Sequence, residues 1–254
     1  MQADTAMTAE LLGAASAAAV LGAGLGALPF RGTRRGMPTR WLAGGQALAA
    51  GCMIGIGYLL LEVGLGVAPG TAGAGLALGI GYAYGVRWYS GTLEVDPLPD
   101  TAVDGPHAAR LVLVYALHAA AEGIAMGAAA ACGLRLGLFA IGSLALHNIA
   151  EAMGLLGALV QRAGRAPGGA AAVAVLARLP QLVLALLTWS LLRTVPGLRD
   201  GTLGFAAGAL LLLVLLEMLP GAYRELERPR IAVLVSTAAG GVVLGWAMLG
   251  PAGG

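Results

Sequence analysis

Two short segments of the chain carry titratable groups in pairs at the same spacing. "HAAAEGIAMG" runs from His118 to Gly127, and "HNIAEAMG" from His147 to Gly154. Each begins H-x-x-x-E, and residues four apart on a helix point the same way, roughly 6 Å apart along its axis. His118 with Glu122, and His147 with Glu151, would each present one imidazole and one carboxylate on a single face. Two such faces turned toward each other offer two nitrogens and two or more oxygens. That set suits a borderline divalent cation such as Zn²⁺ and is also acceptable to Fe²⁺, Mn²⁺ or Cd²⁺.

The elements that must hold these groups are read from composition. Of 254 residues, 58% are hydrophobic and only 11% charged, against about a quarter charged in a typical soluble domain. Mean hydropathy is +0.83. Windows of about 20 apolar residues, enough to cross a bilayer, occur at 7–29, 43–65, 70–89, 110–132, 136–159, 170–193, 202–221 and 231–249. The expectation is an all-α integral membrane protein: one domain over 1–254, eight transmembrane helices, and a cytoplasmic loop at 90–109. Little chain is left for a soluble catalytic or nucleic-acid-binding domain, and the basic residues are scattered loop arginines rather than a face for phosphates. The implied partners are a divalent metal ion and the lipid bilayer, with no nucleic acid; a homodimer is compatible with the sequence.

Orientation follows from arginine, which supplies all 15 basic residues. Short loops rich in Arg stay cytoplasmic. With both termini outside, Arg31, Arg34, Arg35, Arg40, Arg87, Arg110, Arg162, Arg165, Arg224, Arg228 and Arg230 lie at cytoplasmic connections. Only Arg135, Arg193 and Arg199 lie outside, and Arg178 falls inside a span. The first window has Asp4 and Glu10 before or at its front and no preceding positive residue, so it reads as a retained helix rather than a cleaved leader. Cys52 and Cys132 fall within spans and form neither a disulfide framework nor a metal knuckle. Gly51 with Gly55, Gly75 with Gly79, and Gly123 with Gly127 make small-residue stripes for close helix packing.

Against this apolar background the titratable groups are expensive. Each charge at the bilayer centre costs roughly 2.5 to 3.5 kcal/mol, so His118, Glu122, His147 and Glu151 together would cost on the order of 10 kcal/mol without partners. A single buried His–Glu pair is adequately explained as a local hydrogen bond. Two pairs at matching depth on consecutive spans, in a chain with three histidines, point instead to a cation site. Met126 and Met153, one turn beyond, read as packing residues. Glu62 and Glu217, near span ends, could line a cation path, although interfacial snorkelling or local pairing serves them equally well. The acidic residues Glu94, Asp96, Asp100 and Asp104 of the long loop read as a solvated surface.

The quoted segments resemble the paired H-N-x-P-E-G signatures on the fourth and fifth spans of the bacterial branch of the ZIP (Zrt/Irt-like protein) metal transporters. "LAAGCMIGIGYLLLE" in the second span and "GFAAGALLLLVLLEMLPGAYRE" in the seventh are similar to that family's corresponding helices. The resemblance implies eight spans, termini outside, and divalent metal transport by one helix bundle sliding against another. It places the metal at His118, Glu122, His147 and Glu151, with Asn148 as an additional or bridging ligand. Zinc is then cargo and no cofactor is implied.

Departures from the pattern are informative. Ala119 stands where asparagine is expected, Ala121 and Ala150 replace both motif prolines, and Ala152 replaces the second glycine. In "LARLPQLVLALL" the glutamate commonly supplied by the sixth span is Gln181. The resemblance therefore implies that an adjacent second metal site is neutralised. Arg178, three residues earlier, would supply the missing cation's charge or pair with Glu217 or another carboxylate. Two other functions use similar residues. An intramembrane metalloenzyme would normally place a general base beside the metal, as in H-E-x-x-H, and neither histidine here is followed by glutamate. A b-type haem held by His118 and His147 would leave the carboxylates unexplained. A non-transporting metal-binding relative is the remaining alternative to a transporter.

Overall fold

The computed structural model describes residues 6–31, 38–92 and 105–249. The described residues are helical almost throughout, as lipid requires: a spanning backbone must satisfy its own N–H and C=O groups, and a helix does so within one segment. In chain order the helices are α1 (Ala9–Gly22), α2 (Thr39–Val67), α3 (Pro69–Thr92), α4 (Gly105–Cys132), α5 (Leu134–Gly157), α6 (Pro167–Ala177), α7 (Leu179–Thr194), α8 (Arg199–Leu213), α9 (Leu219–Glu225) and α10 (Arg228–Met248). Tighter 3₁₀ turns extend α1 through Ala23–Phe30, and wider π turns extend α5 through Ala158–Arg162 and join α8 to α9 through Val214–Met218.

Seven of the resulting rods are long and apolar enough to cross a membrane: Ala9–Phe30, Thr39–Val67, Ala108–Cys132, Leu134–Gln161, Pro167–Thr194, Pro196–Glu225 and Arg228–Met248. The remaining expected window, 70–89, is helical as α3 but is not among these seven. Its sequence mixes glycine with Tyr82, Tyr84, Trp88 and Tyr89, which dilutes the apolar run. The expected loop at 90–109 is shorter than its window, because α3 runs on to Thr92 and α4 begins at Gly105. Glu94, Asp96, Asp100 and Asp104 lie outside the described residues.

The side-chain distribution is that of a multi-pass membrane protein. Outward faces carry large apolar side chains, among them Leu21, Leu78, Leu146, Leu187, Val233 and Leu244, while most of the buried polar residues gather in the interior. Helices α2, α4, α5, α7 and α8 contact one another around that interior; α3 lies along α8, α10 along α2, and α1 against α5 and α7.

Local sequence sets this packing. Gly133, at φ 143°, occupies backbone space that suits glycine alone and folds α5 back along α4 in a single-residue turn. On α4, a methyl group at Gly123 would lie 2.9 Å from the Gln181 Cα, and one at Gly127 would lie 2.5 Å from the Ala185 carbonyl oxygen. The missing side chains let the α4 and α7 backbones touch. The stripes Gly51/Gly55 and Gly75/Gly79 meet α10 and α8 in the same manner.

Candidate metal centre

Seven buried polar residues from three rods converge beside the α4–α7 contact. His118, Glu122, His147, Asn148, Glu151, Arg178 and Gln181 are each 5% exposed or less. The α4–α5 turn brings His147 beside Glu122, and the i to i+4 spacing on α5 brings it beside Glu151. His147 Nε2 lies 3.2 Å from Glu122 Oε1 and 3.0 Å from Glu151 Oε2. These three residues can each offer a ligand atom within 4.8 Å of the others. The separations approach the edge of about 3.3 Å expected for a tetrahedron of ligands bound to Zn²⁺ at roughly 2.0 Å.

Both imidazoles are held in the same way. His147 Nδ1 lies 3.1 Å from the Ala49 carbonyl oxygen on α2, and His118 Nδ1 lies 2.9 Å from that of Val114, one turn back on α4. A carbonyl only accepts, so Nδ1 carries the hydrogen in each case and donates it. In the neutral ring Nε2 is then a lone pair. Yet each Nε2 faces a carboxylate at close range: His147 faces Glu122 and Glu151, while His118 faces Glu217 Oε2 at 3.0 Å. A lone pair and a carboxylate this close require something positive between them, either a proton on Nε2 or a metal ion.

Arg178 enters the same cluster from the other side. Its Nη1 donates to Glu122 Oε2 at 2.7 Å and to Asn148 Oδ1 at 2.6 Å, and its Nη2 donates to Glu151 Oε2. The backbone places it there. Pro180 has no N–H, so the sixth rod breaks between α6 and α7, with Arg178 at φ −98°, ψ 2° in the break. The Gln181 N–H donates to the Arg178 carbonyl, which tightens the turn. Gln181 itself accepts from Asn148 Nδ2 at 2.9 Å, and the same nitrogen reaches the Ala19 carbonyl at 3.2 Å. Asn148 is thereby clamped among α1, α7 and the break before α7, with its Oδ1 turned toward Arg178.

Of the residues singled out in the sequence, Glu122, His147 and Glu151 thus form one tight group, and Asn148, Arg178 and Gln181 form a network touching it. His118 lies outside that group and instead pairs with Glu217. The window 202–221 puts Glu217 near a span end; the rod continues to Glu225, so the carboxylate lies inside it, in the π turn. Arg178, expected to supply a missing cation's charge or to pair with Glu217 or another carboxylate, meets Glu122 and Glu151. Glu62 is exposed near the end of α2. Met126 is fully buried in the apolar core. Sequence reading missed Gln46 of α2, which is buried, has no hydrogen-bond partner for Oε1 among the described residues, and lies with the Tyr115 hydroxyl close to Gly154. A glutamine in the first two turns of an apolar span was the available signal.

No family model matches the chain. An Arabidopsis thaliana protein named "Putative zinc transporter" is 27% identical over 221 residues, covering 82% of this chain and 34% of that protein. The chain therefore spans about a third of that relative's length. The likeness and the buried His–Glu cluster agree in kind, since both fit a membrane protein that handles metal.

Proposed function

We propose that the chain carries a divalent cation, zinc foremost, across a bacterial inner membrane by alternating access, as a distant member of the ZIP-like transporters. In this reading α3 completes eight spans, both termini face the periplasm, and there is no covalent chemistry. Glu122, His147 and Glu151 bind the ion. His118 and Glu217 hold a neighbouring position on its route, Asn148 and Gln181 fix the geometry, and Glu62 stands near the outer mouth. The observation that carries the reading is the pair of imidazoles locked at Nδ1 with Nε2 directed at carboxylates, an arrangement that a metal ion can satisfy in place of a proton. The relative named for zinc transport supports zinc as the cargo.

The test is flux into proteoliposomes of the purified full chain, offered Zn²⁺, Cd²⁺, Mn²⁺ and Fe²⁺ in turn. The parent protein is expected to move at least Zn²⁺, and Glu151→Ala to abolish that movement, because it removes the oxygen nearest His147 Nε2. A parent that binds zinc but moves none of the four ions would instead be a metal-binding protein, and the transport reading would be wrong.

A further inference from the structure

The cluster contains a cation of its own, and this has a consequence for the transport cycle. Arg178 is 2% exposed and lies on two carboxylates at once. One of the atoms it holds, Glu151 Oε2, is also the atom facing His147 Nε2. A metal placed among Glu122, His147 and Glu151 therefore competes with the guanidinium for that oxygen. The anchor is also at a hinge: Arg178 occupies the break between α6 and α7, where a side chain can change direction without disturbing either half-rod.

The geometry points to Arg178 as a tethered stand-in for the cargo: it offsets one of the two charges of Glu122 and Glu151 when the site is empty and yields to the incoming metal. This rests on the transport reading above. A carrier that accomplishes net uptake must return empty, and returning with two uncompensated carboxylates in the membrane is strongly disfavoured. With Arg178 in place one guanidinium offsets one of those two charges, and Asn148 Oδ1 accepts from the same Nη1 that serves Glu122 and holds the fork in register. The carrier then resets without a second ion on the way back, and its cycle is net uptake rather than obligatory exchange of one metal for another. Arginine suits this role better than lysine, since its planar fork spans two carboxylates at once.

The experiment separates two fluxes in proteoliposomes containing the full-length protein. Net uptake is followed with an entrapped zinc-sensitive dye, and exchange with radiolabelled Zn²⁺ outside and unlabelled Zn²⁺ inside. For Arg178→Gln, net uptake should fall about tenfold or more, because the empty return leaves a buried charge unpaired. Exchange, which never passes through the empty state, should stay within about threefold of the parent, and Arg178→Lys should regain part of the net uptake. Parent-like net uptake by Arg178→Gln, or parallel loss of both fluxes in a variant that still binds zinc, overturns the inference. The parent gives a second test that does not depend on how the variant folds. Its net uptake should be within about twofold with or without Zn²⁺ inside, and uptake that requires internal zinc refutes the stand-in role. Absence of any flux in the parent removes the transport reading, and this inference with it, whereas the other outcomes leave that reading intact.

Discussion

At the level of single residues, the two histidines differ in what they face. His147 looks onto two carboxylates from different helices, Glu122 and Glu151, while His118 looks onto one, Glu217. Zinc affinity should therefore depend more on His147. We expect His147→Ala to weaken Zn²⁺ binding by well over about a hundredfold and His118→Ala by only about tenfold, the lower end of the range over which neighbours of a metal site act. Calorimetric titration of the detergent-solubilised variants measures both, and equal losses would place His118 among the ligands. Acidification should act on the parent in the same direction as these changes. The ring hydrogen on Nδ1 is fixed by a carbonyl, so protons and metal compete for Nε2, and affinity falls as pH falls. Zinc titrations at successively lower pH should show a monotonic decline.

At the level of the helix, the decisive contacts are made where side chains are missing. The α4–α7 approach depends on Gly123 and Gly127, and it is this approach that brings Arg178 and Gln181 next to Glu122. Gly127→Leu would drive a side chain into the Ala185 carbonyl and the Thr188 Cβ. Overpacking of this kind costs about 1 to 3 kcal/mol. The variant should melt measurably earlier in detergent, with weaker zinc binding because its two helices separate, while Gly142→Leu, where a methyl group would meet nothing within 4 Å, should leave both unchanged. These stripes were legible in the sequence because small residues four apart share a helix face. So were the two H-x-x-x-E pairs, for the same reason of period. The partner of Arg178 was not legible, since its reach depends on the break at Pro180 and on the distance between α4 and α7. Nor was the pairing of His118 with Glu217, because the π turn and the continuation of that rod to Glu225 set the depth of the carboxylate.

At the level of the whole molecule, the cluster has a direction only if the chain has one, and the arginines are what bear on it. Arg31, Arg40, Arg87, Arg110, Arg165, Arg224, Arg228 and Arg230 all lie at or near rod ends that the antiparallel order of helices puts on one side. Exposed Trp41, at the start of α2, Trp88, near the end of α3, and Tyr223, in α9, lie toward that same side, where amphipathic rings settle at a membrane interface. In the orientation proposed above these arginines mark the cytoplasmic side, and α3 crosses the bilayer as the least apolar rod, packed along α8. Single cysteines placed at Gly164 and at Gly197, in a background with Cys52 and Cys132 replaced, test the orientation in intact bacterial cells. Gly164 follows α5 beside Arg165, and Gly197 lies in the short turn between α7 and α8. An impermeant maleimide should label the cysteine at 197 and spare the one at 164 until the cells are opened. The reverse pattern would invert the chain and exchange the entry and exit sides of the proposed path, leaving the geometry of the cluster unchanged.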